Sequence, residues 1–114
     1  MKKMIVATVY ILIIFTGAVL CQAGGVEMGK RLFESPVLME GTSGKSCNTC
    51  HEGGKNLSSD LFSNDKKFLI MGMEKNSLAE VINVCIEKAI VGTAFKPNGE
   101  RMAQIIEYMK TLVK

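Results

Sequence analysis

The chain contains no tryptophan, two prolines and a single histidine, and aromatic residues fill only 6% of its 114 positions. Aromatic side chains bury large apolar areas, so their scarcity predicts a thin hydrophobic core. A domain of this size is marginally stable unless something further is buried with it. The four cysteines are too few and too unevenly spaced to supply a disulfide framework instead.

The charge pattern argues against a nucleic-acid-binding protein, and the apolar periodicity argues against a β-sheet. The 14 basic and 11 acidic residues give a net charge of +3, and no cluster of lysines and arginines is interleaved with aromatic residues as in nucleic-acid-binding proteins. No segment alternates convincingly between apolar and polar residues, which is the pattern of a half-buried strand. We therefore expect no nucleic acid partner and no β-sheet.

Residues 1–23 have the pattern of a secretory signal peptide. Two lysines precede an apolar stretch over residues 4–20, and the sequence Cys-Gln-Ala ending at Ala23 places small residues at the two positions that signal peptidase reads. Cleavage after Ala23 would leave a mature chain, residues 24–114, with twelve basic and eleven acidic side chains. We therefore expect an exported, periplasmic protein with a nearly neutral surface.

Two other fates of this segment remain open. Cys21 is a candidate for lipid modification, although Leu20 is bulkier than the residue that a lipoprotein signal places there. The segment is also a candidate membrane anchor, although its apolar run is just short of the ~17–20 residues that a spanning helix needs. Contact with a membrane is expected only through this segment, if it is not cleaved.

Apolar spacing predicts helices in the mature chain. Residues 26–34 and 100–113 have apolar positions three and four apart, as on one face of a helix. Ser77 followed by Glu80 has the pattern of a capping box at the start of a third helix, and Gly92 follows its end. The sequence therefore predicts an all-α protein.

The residues from Cys47 to His51 read C-N-T-C-H. C-x-x-C-H is the attachment motif of c-type haem. Two thiols three positions apart lie on one side of a helical turn, where they can add to the two vinyl groups of a haem, and the adjacent histidine is then held under the iron. We therefore expect one covalent haem c, attached at Cys47 and Cys50, with His51 as the proximal iron ligand.

Zinc binding and dithiol redox chemistry are the alternatives for this motif. A zinc site would have to recruit Cys47, Cys50, His51 and Cys85, and the adjacent ligands Cys50 and His51 would strain a tetrahedral site. A thioredoxin-like dithiol needs a βαβ pattern, which the sequence lacks. The export signal also favours haem, because c-type attachment takes place outside the cytoplasmic membrane.

Two further pairs of residues stand at helical spacing on either side of the motif, Gly29 with Phe33 and Ile105 with Tyr108. With these pairs the mature chain resembles a small monohaem class I c-type cytochrome. The resemblance implies a small cytochrome c fold in which the N- and C-terminal helices cross and the helices surround one haem. It also implies single-electron transfer between periplasmic redox proteins. The chain departs from the family in having no proline about a dozen residues after the haem histidine.

The distal iron ligand is left open by the motif. His51 is the only histidine, so two histidine ligands from one chain are excluded. Methionine is the usual ligand in the family that the chain resembles, and Met102 lies 51 residues beyond His51, just inside the last predicted helix. Met71 and Met73 rank below it, and Lys96 or an open site are the remaining choices.

Cys85 is the preferred distal ligand, because after cleavage it is the only cysteine outside the motif. The segment V-I-N-V-C that ends at Cys85 resembles the N-terminal haem domain of thiosulfate dehydrogenases, and the resemblance implies that this cysteine is the distal ligand. A thiolate opposite His51 would lower the reduction potential of the iron. The alternative interpretation of Cys85 is a small hydrophobic residue in the core.

Three functions follow from these ligand choices. The first is an electron carrier, which needs no catalytic acid or base. The second is the haem subunit of a sulfur-compound oxidoreductase of the thiosulfate type, which would need another subunit because the chain has one C-x-x-C-H motif. The third is a small-gas sensor or carrier with an open sixth site.

Overall fold

The structure is a computed structural model that describes residues 25–113. The signal peptide predicted over residues 1–23 lies outside these residues. Helix α1 covers residues 25–34, and the other helices are α2 (Cys47–His51), α3 (Leu78–Cys85) and α4 (Glu100–Leu112). Short 3₁₀ turns at Leu38–Glu40, Glu52–Gly54 and Ser59–Phe62 connect them, and a π-helical turn, Ile86–Ile90, extends α3. Within the described range, no helix is long and apolar enough to cross a membrane.

The prediction of an all-α fold is wrong, because residues 68–75 form an antiparallel hairpin. Strands β1 (Phe68–Ile70) and β2 (Met73–Lys75) pair with Leu69 opposite Glu74. Phe68 is buried while Leu69 is 76% exposed, so the side chains do alternate between two faces. The alternation is hidden in the sequence because the outward position holds an apolar leucine. Strands of three residues are also too short to establish a period.

The turn of this hairpin has the backbone geometry that favours tight two-residue connections. Met71 and Gly72 both have positive φ, at 51° and 76°, as in the turns whose twist matches that of the strands. Glycine at the second position adopts this conformation without steric cost. The short turn fixes the register and places Met71 at the tip.

Helices α1 and α4 lie in close contact at Gly29. A Cβ atom at this position would lie 2.0 Å from the carbonyl oxygen of Gln104 and 2.8 Å from Cβ of Tyr108, so only glycine fits. One turn further along α1, the rings of Phe33 and Tyr108 meet edge to face with centroids 5.4 Å apart. The expected contact between these two aromatic residues is therefore present.

The ends of α3 follow the sequence signals with small differences. Ser77 Oγ accepts a hydrogen bond from the N–H of Glu80 at 3.2 Å, which caps the helix. The Glu80 carboxylate accepts from the N–H of Asn76, one residue before the cap, at 2.7 Å. At the other end Val91, with φ 59°, takes the left-handed conformation that a glycine usually supplies. Gly92 follows and donates its N–H to the Ile86 carbonyl at 2.9 Å.

We expect Gly29→Ala to lower the free energy of unfolding by about 1–3 kcal/mol, because the new methyl group forces α1 away from α4. The matched control is Gly25→Ala, since a Cβ atom at Gly25 meets nothing within 4 Å. Denaturant titration of both variants tests this. An equal effect at the two positions would contradict the close contact.

Candidate functional site

An apolar cavity of about 340 Å³ lies between α2, the hairpin, α3 and the hydrophobic core. Helix α2 contributes Cys47, Cys50 and His51, and the cavity face of α3 contributes Cys85. The rest of the lining is almost entirely apolar, and its members are Phe33, Leu57, Leu61, Ile70, Met71, Leu78, Val81, Ile82, Ala89, Ile90, Ile105 and Met109, with Ser46 and Asn56 as further polar residues. Three cysteines and the histidine therefore border one apolar space.

Helix α2 presents the motif to this cavity. The N–H of Ser46, the residue before the helix, donates to Oγ1 of Thr49 at 2.9 Å. The N–H groups at the start of a helix have no acceptor within the helix, and this hydrogen bond satisfies one of them. Cys47 is half-buried and Cys50 is exposed, and both line the cavity. The motif thus has one thiol deep in the cavity and one near the surface.

A backbone carbonyl holds the ring of His51. Nδ1 of His51 and the carbonyl oxygen of Lys55 are 2.9 Å apart. A carbonyl oxygen only accepts hydrogen bonds, so Nδ1 carries a proton, and Nε2 is the ring nitrogen that can bind a metal. This is the arrangement in which metal-binding histidines are oriented by a group behind them.

The chain from Glu52 to Leu57 turns tightly to bring that carbonyl behind the ring. Gly53 and Gly54 have positive φ, and so does Asn56, at 63°. The N–H of Lys55 donates to the Glu52 carbonyl at 3.1 Å, and the N–H of Leu57 donates to the Gly54 carbonyl at 2.9 Å. The Gly-Gly pair and Asn56 were the signals that the chain reverses there.

Cys85 lines the same cavity as both cysteines of the motif. Burial raises the pKa of the Cys47 thiol to about 11, and the negative charge of Cys85 is the next cause. Burial also raises the pKa of Cys85, followed by the charge of Cys50. Burial therefore favours the uncharged thiol of Cys85, which borders the same cavity as the motif.

The π-helical turn keeps successive residues of α3 on the cavity. Leu78, Val81, Ile82 and Cys85 follow ordinary helical spacing. A wider π turn advances less per residue than an α turn, so Ala89 and Ile90 both remain on the same side as Cys85. Turns of this kind are frequent at functional sites.

The positions of the methionines differ from what their order as candidate distal ligands predicted. Met102 is 1% exposed, packs in the hydrophobic core and is not among the residues that line the cavity. Met71, at the hairpin tip, and Met109, on α4, do line it. Separation along the chain favoured Met102, but α4 turns that side chain toward the core. Met71 is therefore the better-placed thioether.

The residues fit a haem better than a bare metal ion. Within residues 25–113, no three side chains of the His, Cys, Asp and Glu types gather closely enough to hold a metal ion by themselves. A haem iron needs only axial ligands from the protein, and its ring is apolar. An apolar cavity lined by two thiols and an oriented histidine of α2 and by a third thiol of α3 meets that need.

We expect Asn56→Ala to lower the free energy of unfolding by about 1 kcal/mol, because a residue with a Cβ and no local polar group is strained at positive φ. Asn56→Gly is the matched control and should be nearly neutral. Denaturant titration compares the two. Equal stabilities would show that the turn behind His51 is not held at this conformation.

No protein-family model, curated protein or solved structure matches this chain. The case for a function therefore depends on the motif and on the cavity. Those two features agree: the residues that the motif singles out border an apolar space, and the turn after α2 orients the histidine ring.

Proposed function

We propose that this chain is a monohaem c-type cytochrome that carries single electrons between periplasmic redox proteins. The observation that carries the proposal is the His51 ring, oriented by the Lys55 carbonyl and flanked by Cys47 and Cys50 on the wall of an apolar cavity. The hydrogen bond at Nδ1 leaves Nε2 as the nitrogen that would bind a metal, and the ring lines the same cavity as both thiols.

Cys47 and Cys50 would hold the ring of the haem. Each thiol would be joined to one vinyl group by a thioether bond, with the thiol hydrogen on the neighbouring carbon, so the attachment would need no oxidant. His51 would bind the iron through Nε2. When bound, the haem supplies a one-electron iron couple, which no amino-acid side chain of the cavity provides.

Cys85 would hold the iron from the opposite side. Its thiol borders the cavity that the motif also lines. The raised pKa keeps it neutral in the apolar surroundings, but a metal cation deprotonates a thiol that coordinates it. The added negative charge stabilises the oxidised iron and lowers the reduction potential. Met71 is the thioether alternative.

The cavity lining also favours electron transfer over acid–base catalysis. Its polar side chains, among the residues described, are Ser46, Asn56, His51 and the three cysteines, and it contains no carboxylate or lysine. His51 and the cysteines are assigned to the haem in this proposal. No further group remains that could move protons to and from a substrate.

A second candidate is the haem subunit of a sulfur-compound oxidoreductase. The position of Cys85 on the cavity favours this candidate. The segment that ends at Cys85 resembles thiosulfate dehydrogenases, and the resemblance implies that this cysteine is the distal iron ligand. Steady reduction of the purified protein by thiosulfate alone would support the enzyme. Reduction only in the presence of a redox partner would support the carrier.

The covalent attachment is tested by expressing the full chain in a host that matures c-type cytochromes. We expect the mass of the product to increase by one haem, and the colour to stay with the polypeptide in acidified organic solvent, since thioether bonds survive denaturation. Cys47→Ser and Cys50→Ser should each remove one of the two attachments. Cys85→Ser is the control and should keep both. A colourless wild-type protein would overturn the proposal.

The distal ligand is tested by visible and electron-paramagnetic resonance spectra of the oxidised protein. We expect a low-spin thiolate signal that disappears in Cys85→Ala and persists in Met102→Leu, because Met102 packs in the core. A methionine-to-iron charge-transfer band at the red end of the spectrum would exclude Cys85. Rapid carbon monoxide binding by the reduced wild type would instead indicate an open site, as in a gas sensor.

A further inference from the structure

The side-chain amide of Asn83 pairs with the backbone of Phe95 through two hydrogen bonds. Nδ2 of Asn83 donates to the Phe95 carbonyl at 2.9 Å, and the Phe95 N–H donates to Oδ1 of Asn83 at 2.8 Å. The pair is partly buried, which shields it from water. It joins α3 to the loop between Ile90 and Glu100.

That loop is itself held by two backbone hydrogen bonds just before the pair. Gly92 donates its N–H to the Ile86 carbonyl at 2.9 Å, and Thr93 donates to the Met39 carbonyl at 3.0 Å. The Phe95 side chain is 4% exposed and belongs to the core cluster. Asn83 therefore binds to a segment that the Thr93–Met39 bond and the buried Phe95 ring also hold, and the paired bonds restrain α3 relative to that segment.

Asn83 lies on the side of α3 that faces away from the cavity. It precedes Cys85 by two residues, and two residues in an α-helix are about 200° apart around the axis. Cys85 lines the cavity and Asn83 does not. A restraint on the back of the helix therefore sets the direction in which Cys85 points.

The rotation of α3 needs such a restraint. The helix has eight residues, and four of them, Leu78, Val81, Ile82 and Cys85, face the cavity. Apolar contacts are non-directional, so they allow a short helix to rotate about its own axis by less than the angle between successive residues. Two hydrogen bonds with defined donors and acceptors do not allow this.

We propose that Asn83 is the positioning residue for Cys85: its paired bonds to Phe95 set the rotation of α3 and hold the sulfur toward the haem iron. The inference rests on the proposed function, because it assigns Cys85 to the distal side of a bound haem. It adds a residue that does not touch the haem and acts only through the cysteine.

The test compares variants of the full haem-bearing chain by their electron-paramagnetic resonance and visible spectra. Asn83→Ala removes both hydrogen bonds, and we expect it to lose most of the low-spin thiolate signal while it retains the covalent haem. Asn83→Asp keeps the acceptor for the Phe95 N–H and loses the donor to its carbonyl. This variant should retain an intermediate share of the signal.

Val84→Ala is the matched control. Val84 lies between Asn83 and Cys85, is 8% exposed, and loses two methyl groups in this substitution. It should destabilise the protein against denaturant and leave the thiolate signal unchanged, because the Asn83 pair is intact. Circular dichroism and the ratio of haem to protein confirm that each variant is folded and loaded.

The possible results separate the two proposals. A wild-type protein without covalent haem overturns the proposed function and this inference with it. A wild-type thiolate signal that survives in Asn83→Ala overturns the inference alone. Equal loss of the signal in Val84→Ala and Asn83→Ala also overturns it, since general packing would then explain the effect. Loss in Asn83→Ala with partial retention in Asn83→Asp supports it.

Discussion

The cavity and the hydrophobic core of this protein share side chains, and the rest of the structure depends on that sharing. Five buried residues belong to both: Phe33, Ile82, Ile90, Ile105 and Met109. They come from α1, α3 with its π turn, and α4, so each long helix has one side in the core and another on the cavity wall. A group that binds the folded cavity and not the unfolded chain must therefore stabilise the whole domain.

Two local features of the fold shape this cavity. They are the contact between α1 and α4 and the tight turn after α2. At Gly29 the backbones of α1 and α4 approach as closely as two helices can, which places Phe33 on one side of the cavity. After α2 the chain reverses so sharply that the Lys55 carbonyl returns to the ring of His51. The first contact shapes the apolar wall, and the second determines which nitrogen of the histidine is free.

The three helix-forming segments after residue 24 were predictable because helical spacing is a local property. Ser77 capping α3 and the apolar face of α4 depend on residues only three or four positions apart. The hairpin was missed because its outward position is Leu69, which conceals the alternation. The π turn was missed because one added residue in a helical turn leaves no signal in an apolar run.

The amino-acid sequence is enough to establish the motif, the two thiols and histidine that it groups, and the cysteine that stands apart from them. These follow from residue identity and from spacing within one or two turns of chain. Tertiary packing is needed to establish that Cys85 borders the cavity while Met102 packs in the core, and that the Lys55 carbonyl orients His51. Whether a side chain borders the cavity or packs in the core depends on how whole helices rotate and pack against each other. Asn83, on the far side of α3, is part of what fixes that rotation.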